Sequence, residues 1–167
     1  MGEAERARQY LSEGRYKEAM SLLDLMLSKE KGNDELWYLR GVVSLKLKSY
    51  DAAMEYFERA LSIRQRAEYH RIRGMAQLEV FEIDEAIESF DAALGLDPKD
   101  PTSRFFLAVC FMMMDDPRAA DHLKSAIAAD PKRTRQLLMN FYTMMFDKDR
   151  TVSESDKKRM QDKIRSI

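Results

Sequence analysis

The amino-acid sequence predicts an all-α protein, an α-solenoid built from helix–turn–helix repeats and closed by a pair of C-terminal capping helices. Three observations indicate this class. Small and large residues recur every 33 or 34 positions along most of the chain. Apolar residues between them follow the spacing of about 3.6 that is typical of amphipathic helices. Glycine and proline, with 6 and 4 copies in 167 residues, are too scarce for a turn-rich β fold.

The repeat is clearest in the small residues, which would let two helices approach closely while a large residue fills the adjoining gap. Four alanines mark it, at intervals of 34, 33 and 33 positions: Ala19, Ala53, Ala86 and Ala119. Four positions after each alanine comes a large apolar residue: Leu23, Phe57, Phe90 and Leu123. A second register of small residues runs in parallel through Ala7, Gly41, Gly74 and Ala108.

Each repeat reads as two helices with recognisable ends. Asn33 or Asp34 can cap the first helix of the second repeat, because a short side-chain oxygen accepts from unpaired backbone N–H groups. Two Asp-Pro pairs, at Asp97-Pro98 and Asp130-Pro131, end later repeats, since proline cannot continue the helical hydrogen bonds.

These residues resemble the tetratricopeptide repeat family over roughly residues 3–133. The second repeat matches the family pattern almost in full, with Trp37, Gly41, Tyr50, Ala53, Phe57 and Ala60. The resemblance implies a right-handed superhelix of four repeats within one structural domain, at about 1–33, 34–66, 67–100 and 101–133. The turn between the helices of the fourth repeat is expected to be one residue short, at Asp115-Asp116-Pro117.

Residues 134–167 depart from the pattern and are predicted to form a divergent capping pair. One helix is expected over Arg133–Phe146 and another over Ser153–Ile167, with a polar break at Asp147–Val152 between them. Ser153 and Asp156 have the spacing of a weak capping box. A narrow apolar stripe of Met160, Ile164 and Ile167 lies on the otherwise charged last helix. A repeat stack needs such a terminal cap to hide its last apolar face.

No pattern for catalysis, cofactor binding or metal binding is found, so the chain is expected to be no enzyme and to hold neither cofactor nor metal. The single cysteine, Cys110, lies in an apolar run and is interpreted as a buried small hydrophobe. His70 occupies the position that Trp37 holds in the preceding repeat, and it is interpreted as a helix-packing residue.

The formal net charge of −1 hides an uneven distribution. Residues 131–167 carry 10 basic and 5 acidic side chains, whereas the rest carries 18 basic and 24 acidic ones. The near-neutral total argues against a dedicated nucleic-acid binder, and the basic end could pair with the acidic body of another copy. The charged N-terminus and the lack of a long apolar run predict a cytoplasmic protein without a membrane span.

The resemblance also implies a concave groove, lined by the first helix of each repeat, that binds a partner. Projection of those helices predicts the groove residues Tyr38, Leu39, Val42, Lys46, Arg71, Ile72, Met75, Phe105, Phe106, Val109 and Met112. Most are apolar, and an exposed apolar patch commonly marks a binding site. A partner that is an apolar or amphipathic peptide or helix is therefore expected, with no cofactor. The alternative that the C-terminal helices occupy the groove stays open.

Relatives that bind acidic chaperone tails use a two-carboxylate clamp of Lys, Asn and Arg. In one alignment the corresponding positions hold Ala4, Arg8, Leu39, Glu68 and Ile72. In another they hold Tyr38, Val42, Ile72, Thr102 and Phe106. Neither set supplies a cation and amide cluster for a carboxylate.

The sequence thus predicts a protein–protein interaction scaffold, a co-chaperone-like adaptor without that clamp. One alternative is a self-associating assembly protein that uses the groove or the C-terminal helix. Another is an RNA-associated helical-repeat protein that uses the basic C-terminal end and the basic cluster of Arg64, Arg66, Arg71 and Arg73.

Overall fold

The computed structural model describes residues 2–146, 149 and 151–167, which form ten helices and no β-strand. The helices are α1 Glu3–Ser12, α2 Tyr16–Lys29, α3 Asp34–Lys46, α4 Tyr50–Ile63, α5 Ala67–Glu79, α6 Ile83–Leu96, α7 Pro101–Met113, α8 Arg118–Ala129, α9 Pro131–Phe146 and α10 Glu154–Arg165. This confirms the predicted all-α class. Within the described residues, no helix is long and apolar enough to cross a membrane.

The chain divides into two compact units, Met1–Leu96 and Asp97–Ile167. In the first unit α1 packs on α2, α3 on α4 and α5 on α6, and the first helices of these pairs, α1, α3 and α5, are neighbours. In the second unit α7 packs on α8, α9 packs on both of them, and α10 packs on α9. The predicted single domain and its repeat boundaries stay a prediction.

The close contacts within the helix pairs come from the recurring small residues. A Cβ atom built on Gly41 would lie 2.5 Å from Cε1 of Phe57, and one on Gly74 would lie 2.9 Å from Cε1 of Phe90. Both phenyl rings are fully buried. The small residue of the first helix therefore makes room for the aromatic ring of the second, as the repeat spacing predicts.

The turns between paired helices also repeat. One residue in each turn has a positive φ, and these are Gly14 at 73°, Lys48 at 62°, Phe81 at 64° and Asp115 at 54°. The left-handed conformation reverses the chain after the first helix. Glycine adopts it without strain, whereas a side chain is disfavoured there.

The fourth pair departs from the others after its turn. Asp115 keeps the left-handed position, but α8 begins only at Arg118, after Pro117. Ala19, Ala53 and Ala86 are fully buried, whereas Ala119 is half-buried and so is Leu123. Because one residue fewer separates Asp115 from Ala119 than separates the corresponding residues of the other repeats, as the sequence indicates, the start of α8 is more loosely packed than the starts of α2, α4 and α6.

Side-chain caps fix several helix starts. The Asn33 side chain accepts from the backbone N–H groups of Glu35 and Leu36, so Asn33 is the cap of α3. Ser153 accepts from the backbone N–H of Asp156 and caps α10, as predicted. The ninth helix begins at Pro131, two residues before the predicted start at Arg133. Of the predicted break at Asp147–Val152, residues 147, 148 and 150 lie outside the described residues.

Candidate functional site

The first unit contains a cavity of about 530 Å³ on the face formed by α1, α3 and α5. We call it the inner cavity. It is lined by Arg8, Leu11, Ser12, Glu35, Tyr38, Leu39, Val42, Arg66, Glu68 and Tyr69. Its volume lies within the range of small-ligand and side-chain pockets in proteins.

Two stacked tyrosines form one wall of the inner cavity. The rings of Tyr38 and Tyr69 lie 4.5 Å apart, with 19° between their planes. The Tyr38 hydroxyl donates to Oε1 of Glu68 over 3.0 Å, and the Tyr69 hydroxyl donates to Oδ2 of Asp34 over 2.8 Å. Burial, together with these neighbouring carboxylates, raises the pKa of Tyr38 and of Tyr69 well above the usual range. Both hydroxyls therefore stay protonated and hold the rings in place.

The charged groups around the inner cavity are paired with one another. Arg8 on α1 forms an ion pair with Glu35 on α3. Nε of Arg66 lies 3.0 Å from Oδ2 of the buried Asp34, and the Arg66 guanidinium also lies over the Tyr69 ring at 5.5 Å. These pairs place hydrogen-bonding groups at the rim, whereas Leu11 and Val42 contribute half-buried apolar surface.

Three of the predicted groove residues of α3 line the inner cavity, but with different exposure. Tyr38 and Val42 are half-buried and can contact a ligand. Leu39 is buried in the core cluster that includes Leu23 and Leu36. As a correction to the prediction, Leu39 shapes the cavity from beneath and offers almost no surface of its own.

The other predicted groove residues of the first unit lie outside the lining of this cavity. Ile72 is half-buried and packs against the core formed by Ala53, Phe57 and Ala76. Arg71 and Met75 on α5 are half-buried, and Lys46 at the end of α3 is exposed. These residues lie on the same first helices as the cavity but do not form it.

In the second unit, burial again separates the predicted residues. Phe105 and Val109 are buried. The Phe105 ring meets Phe106 edge-on at 5.3 Å and Phe141 of α9 at 6.3 Å. The α9 helix therefore packs against part of α7. That the C-terminal helices occupy the groove stays a prediction. Of the residues predicted here, Phe106 is half-buried and Met112 is 52% exposed.

Several lining residues were not among the predicted groove residues: Arg8, Leu11, Ser12, Glu35, Arg66, Glu68 and Tyr69. The sequence contains a signal for two of these lining residues, because Arg8 and Glu68 occupy positions at which clamp-bearing relatives contact their ligand. The residue types at these two positions, however, indicate only that the clamp is absent.

The basic cluster and the single cysteine serve the fold. Arg64 and Arg66 both lie within 4 Å of the Asp34 carboxylate, at 3.8 and 3.0 Å. Arg73 donates to the Ser89 hydroxyl over 3.0 Å.

Cys110 is fully buried, and burial raises the pKa of its thiol to about 11. Its thiol therefore stays protonated and unreactive at neutral pH.

The repeated helix pairs, the glycine–phenylalanine seams and the inner cavity define a helical-repeat protein. Two family profiles, both described as tetratricopeptide repeat, match residues 10–78 and 73–134. The chain belongs to the tetratricopeptide repeat family. A search of curated protein sequences finds no match.

Solved structures of other repeat proteins share the fold. The chain is similar to MamA, with a TM-score of 0.73 and 16% identity over 96% of this chain and 92% of that one. It is similar to YrrB, described as a TPR protein with an unusual peptide-binding site, with a TM-score of 0.68 and 20% identity over 98% and 84% of the two chains. It also resembles the first TPR of Spaghetti (RPAP3) bound to the HSP90 peptide SRMEEVD, with a TM-score of 0.65 and 20% identity over 68% and 91%. At these identities the likeness concerns the fold alone.

Proposed function

We propose that the protein is a protein–protein interaction scaffold that binds a peptide or helix of a partner in the inner cavity. The observation that carries the proposal is the cavity of about 530 Å³, in which the first helices of three successive pairs each contribute lining residues. Pockets with an apolar body and a few fixed polar groups are typical binding sites. The peptide-bound RPAP3 structure and the peptide-binding site ascribed to YrrB support a peptide as ligand.

The chemistry of the lining favours an amphipathic ligand. Leu11, Val42 and the Tyr38 ring would receive an apolar side chain, whereas the Arg8–Glu35 pair would hydrogen-bond to the ligand backbone. Because Arg8 and Arg66 already face carboxylates, they offer little attraction to a strongly acidic tail. We therefore expect no two-carboxylate clamp.

Residues next to the inner cavity would extend the contact. Arg71, Ile72 and Met75 on α5 and Lys46 on α3 would meet a ligand that continues past the cavity. Phe106 and Met112 on α7 lie in the second unit, outside the inner cavity, and their role in binding stays a prediction. No observation favours an RNA ligand, since Arg64, Arg66 and Arg73 have partners within the protein. A cytoplasmic location and a non-enzymatic role stay predictions.

A selection from random peptides tests the proposal and does not require an identified partner. The full chain is used as bait for a displayed peptide library, and the affinities of enriched peptides are then measured by calorimetry. We expect amphipathic sequences whose affinity falls at least about tenfold with Val42→Asp, because a charge would then lie in the apolar part of the cavity. The matched control is Leu25→Asp, which changes an exposed leucine outside the inner cavity and should leave the affinity unchanged.

Circular dichroism of both variants checks that helicity is kept. Enriched peptides that bind Val42→Asp as tightly as the original chain would contradict the assignment of the inner cavity. Enrichment of strongly acidic peptides only would contradict the proposed ligand chemistry.

A further inference from the structure

The exposed side of α6, together with Glu82 just before it, carries only negative charge. Five acidic side chains and no basic one occur from residue 82 to residue 96. All five are exposed: Glu82, Asp84, Glu85, Glu88 and Asp91. Within the part of the chain that the structure describes, none of the five forms an ion pair with a cation of this molecule. We call this surface the acidic face.

An exposed apolar residue lies at each end of the acidic face. Phe81 is 74% exposed and is held at a φ of 64°, a conformation that a bulky residue rarely adopts. Leu96, the last residue of α6, is 51% exposed. The face thus offers a row of carboxylates with an apolar contact at either end.

The C-terminal helices of the same chain carry the opposite charge. Residues 131–167 contain 10 basic and 5 acidic side chains. Lys132 on α9 and Lys158 and Lys163 on α10 are exposed. Arg159 and Arg165 are exposed as well, and each faces a carboxylate only three positions away on its own helix. We call this surface the basic end.

We propose that the acidic face of one copy docks on the basic end of a second copy of this chain. The charged side chains of the acidic face are all carboxylates, whereas those of the basic end have an excess of cations. Such complementarity steers association and selects the partner. The contact joins two different surfaces, so it is heterologous and can propagate from copy to copy. This inference goes beyond peptide binding in the inner cavity and does not depend on it.

The physics of the contact predicts its salt dependence. Exposed ion pairs contribute little individually, and salt screens them over about 10 Å at 0.1 M. Several pairs must therefore act together, with Phe81 and Leu96 adding apolar burial. Association should be clear at low ionic strength and weak at high ionic strength.

Sedimentation equilibrium of the full chain at about 20 mM and about 500 mM sodium chloride tests the proposal. At low salt the average mass should rise with concentration above the monomer mass of 19.5 kDa, and at high salt it should return to that value. A monomer at both salt concentrations would overturn the proposal, and so would a mass that does not respond to salt.

Two triple variants make the test specific. One neutralises the centre of the acidic face, with Glu85→Gln, Glu88→Gln and Asp91→Asn, and the other neutralises the basic end, with Lys158→Gln, Arg159→Gln and Lys163→Gln. Each alone should stay monomeric at low salt. Mixed in equal amounts, they should form a pair of twice the monomer mass and nothing larger, because each copy retains one half of the contact.

A control variant with Glu3→Lys and Glu30→Lys changes charge on exposed sites outside both surfaces and should associate like the original chain. Self-association of either triple variant at the original strength would overturn the proposal. A mixture that remains monomeric would do the same.

Discussion

Gly41 and Gly74 determine how closely the paired helices approach. Each has a buried phenyl ring where a side chain would begin, at 2.5 Å for Gly41 and 2.9 Å for Gly74. Real Cβ atoms do not make contacts this short, so alanine at either position requires a buried ring to move. The sequence predicts this contact, because small and aromatic residues recur at a fixed spacing.

Overpacking a core usually costs about 1–3 kcal/mol, whereas the higher helix propensity of alanine contributes about 1 kcal/mol in the opposite direction. We therefore expect Gly41→Ala to lower the free energy of unfolding by up to about 2 kcal/mol. Gly95→Ala is the matched control, since no described atom lies within 4 Å of a Cβ there. It should leave stability unchanged or raise it. Urea unfolding followed by circular dichroism measures both, and equal effects would contradict the packing account.

His70 is expected to make stability depend on pH. The ring is buried, and its Nε2 lies 2.6 Å from Oε1 of Gln65. The pKa of His70 is lowered, mainly because the ring is buried and secondly because the positive charge of Arg73 is near. The folded state thus binds the proton less readily than the unfolded state. The contribution of neutral His70 to stability is therefore complete above the pKa of about 6.5 that histidine has in the unfolded state. It is lost as the pH falls through the lower pKa of His70 in the folded state.

The measurement is the change in melting temperature between about pH 7.5 and pH 5. His70→Gln should show a smaller decrease than the original chain, because it removes this titrating group. His122→Gln, which replaces the ring stacked on Phe111 at 5.1 Å, serves as the control and should retain the decrease. An undiminished decrease in His70→Gln would rule out His70 as its source.

Among the helices, the caps and turns explain where each element begins and ends. Periodicity alone predicts the ten helices, because each presents an apolar stripe to its partner. Periodicity predicts the ends of helices less accurately, since α9 begins at Pro131 and not at the predicted Arg133. The looser start of α8 has a physical cause visible in the sequence, namely one residue fewer between Ala108 and Ala119 than in the other repeats.

We expect Asn33→Ala to lower the free energy of unfolding by about 1 kcal/mol, since it removes the acceptor for two backbone N–H groups of α3. Ser49 occupies the corresponding place before α4, where no side-chain cap hydrogen bond is found among the described residues. Ser49→Ala is therefore the control and should have almost no effect. Chemical unfolding distinguishes the two, and a similar loss in both would contradict the capping role.

In the whole molecule, the sequence predicts the fold far better than the binding site. Fold follows from local spacing and from contacts within each repeat. The lining of the inner cavity depends on pairs distant in sequence, such as Tyr38 with Glu68 and Tyr69 with Asp34, which differ in identity from repeat to repeat. Helix projection also cannot separate a residue that faces the groove from one buried beneath it, as Leu39 and Phe105 show.

The inner cavity lies entirely within the first unit, so ligand affinity should not depend on the stability of the second. Leu107→Ala in the buried part of α7 should cost about 2–5 kcal/mol of stability. The affinity for a selected peptide, measured at a temperature at which the variant is folded, should stay within about twofold of the original value. A fall in affinity in the folded variant would show that the second unit takes part in binding.

The central claim, that the inner cavity is the binding site, is tested most directly by NMR chemical-shift mapping of the full chain with a selected peptide. The predicted result is that the largest shifts fall on α1, α3 and α5, at Leu11, Tyr38, Val42 and Tyr69. Tyr56 and Ile63 on α4 line a second cavity of about 530 Å³ in the first unit. Largest shifts at these two residues, or within residues 97–167, would contradict the claim.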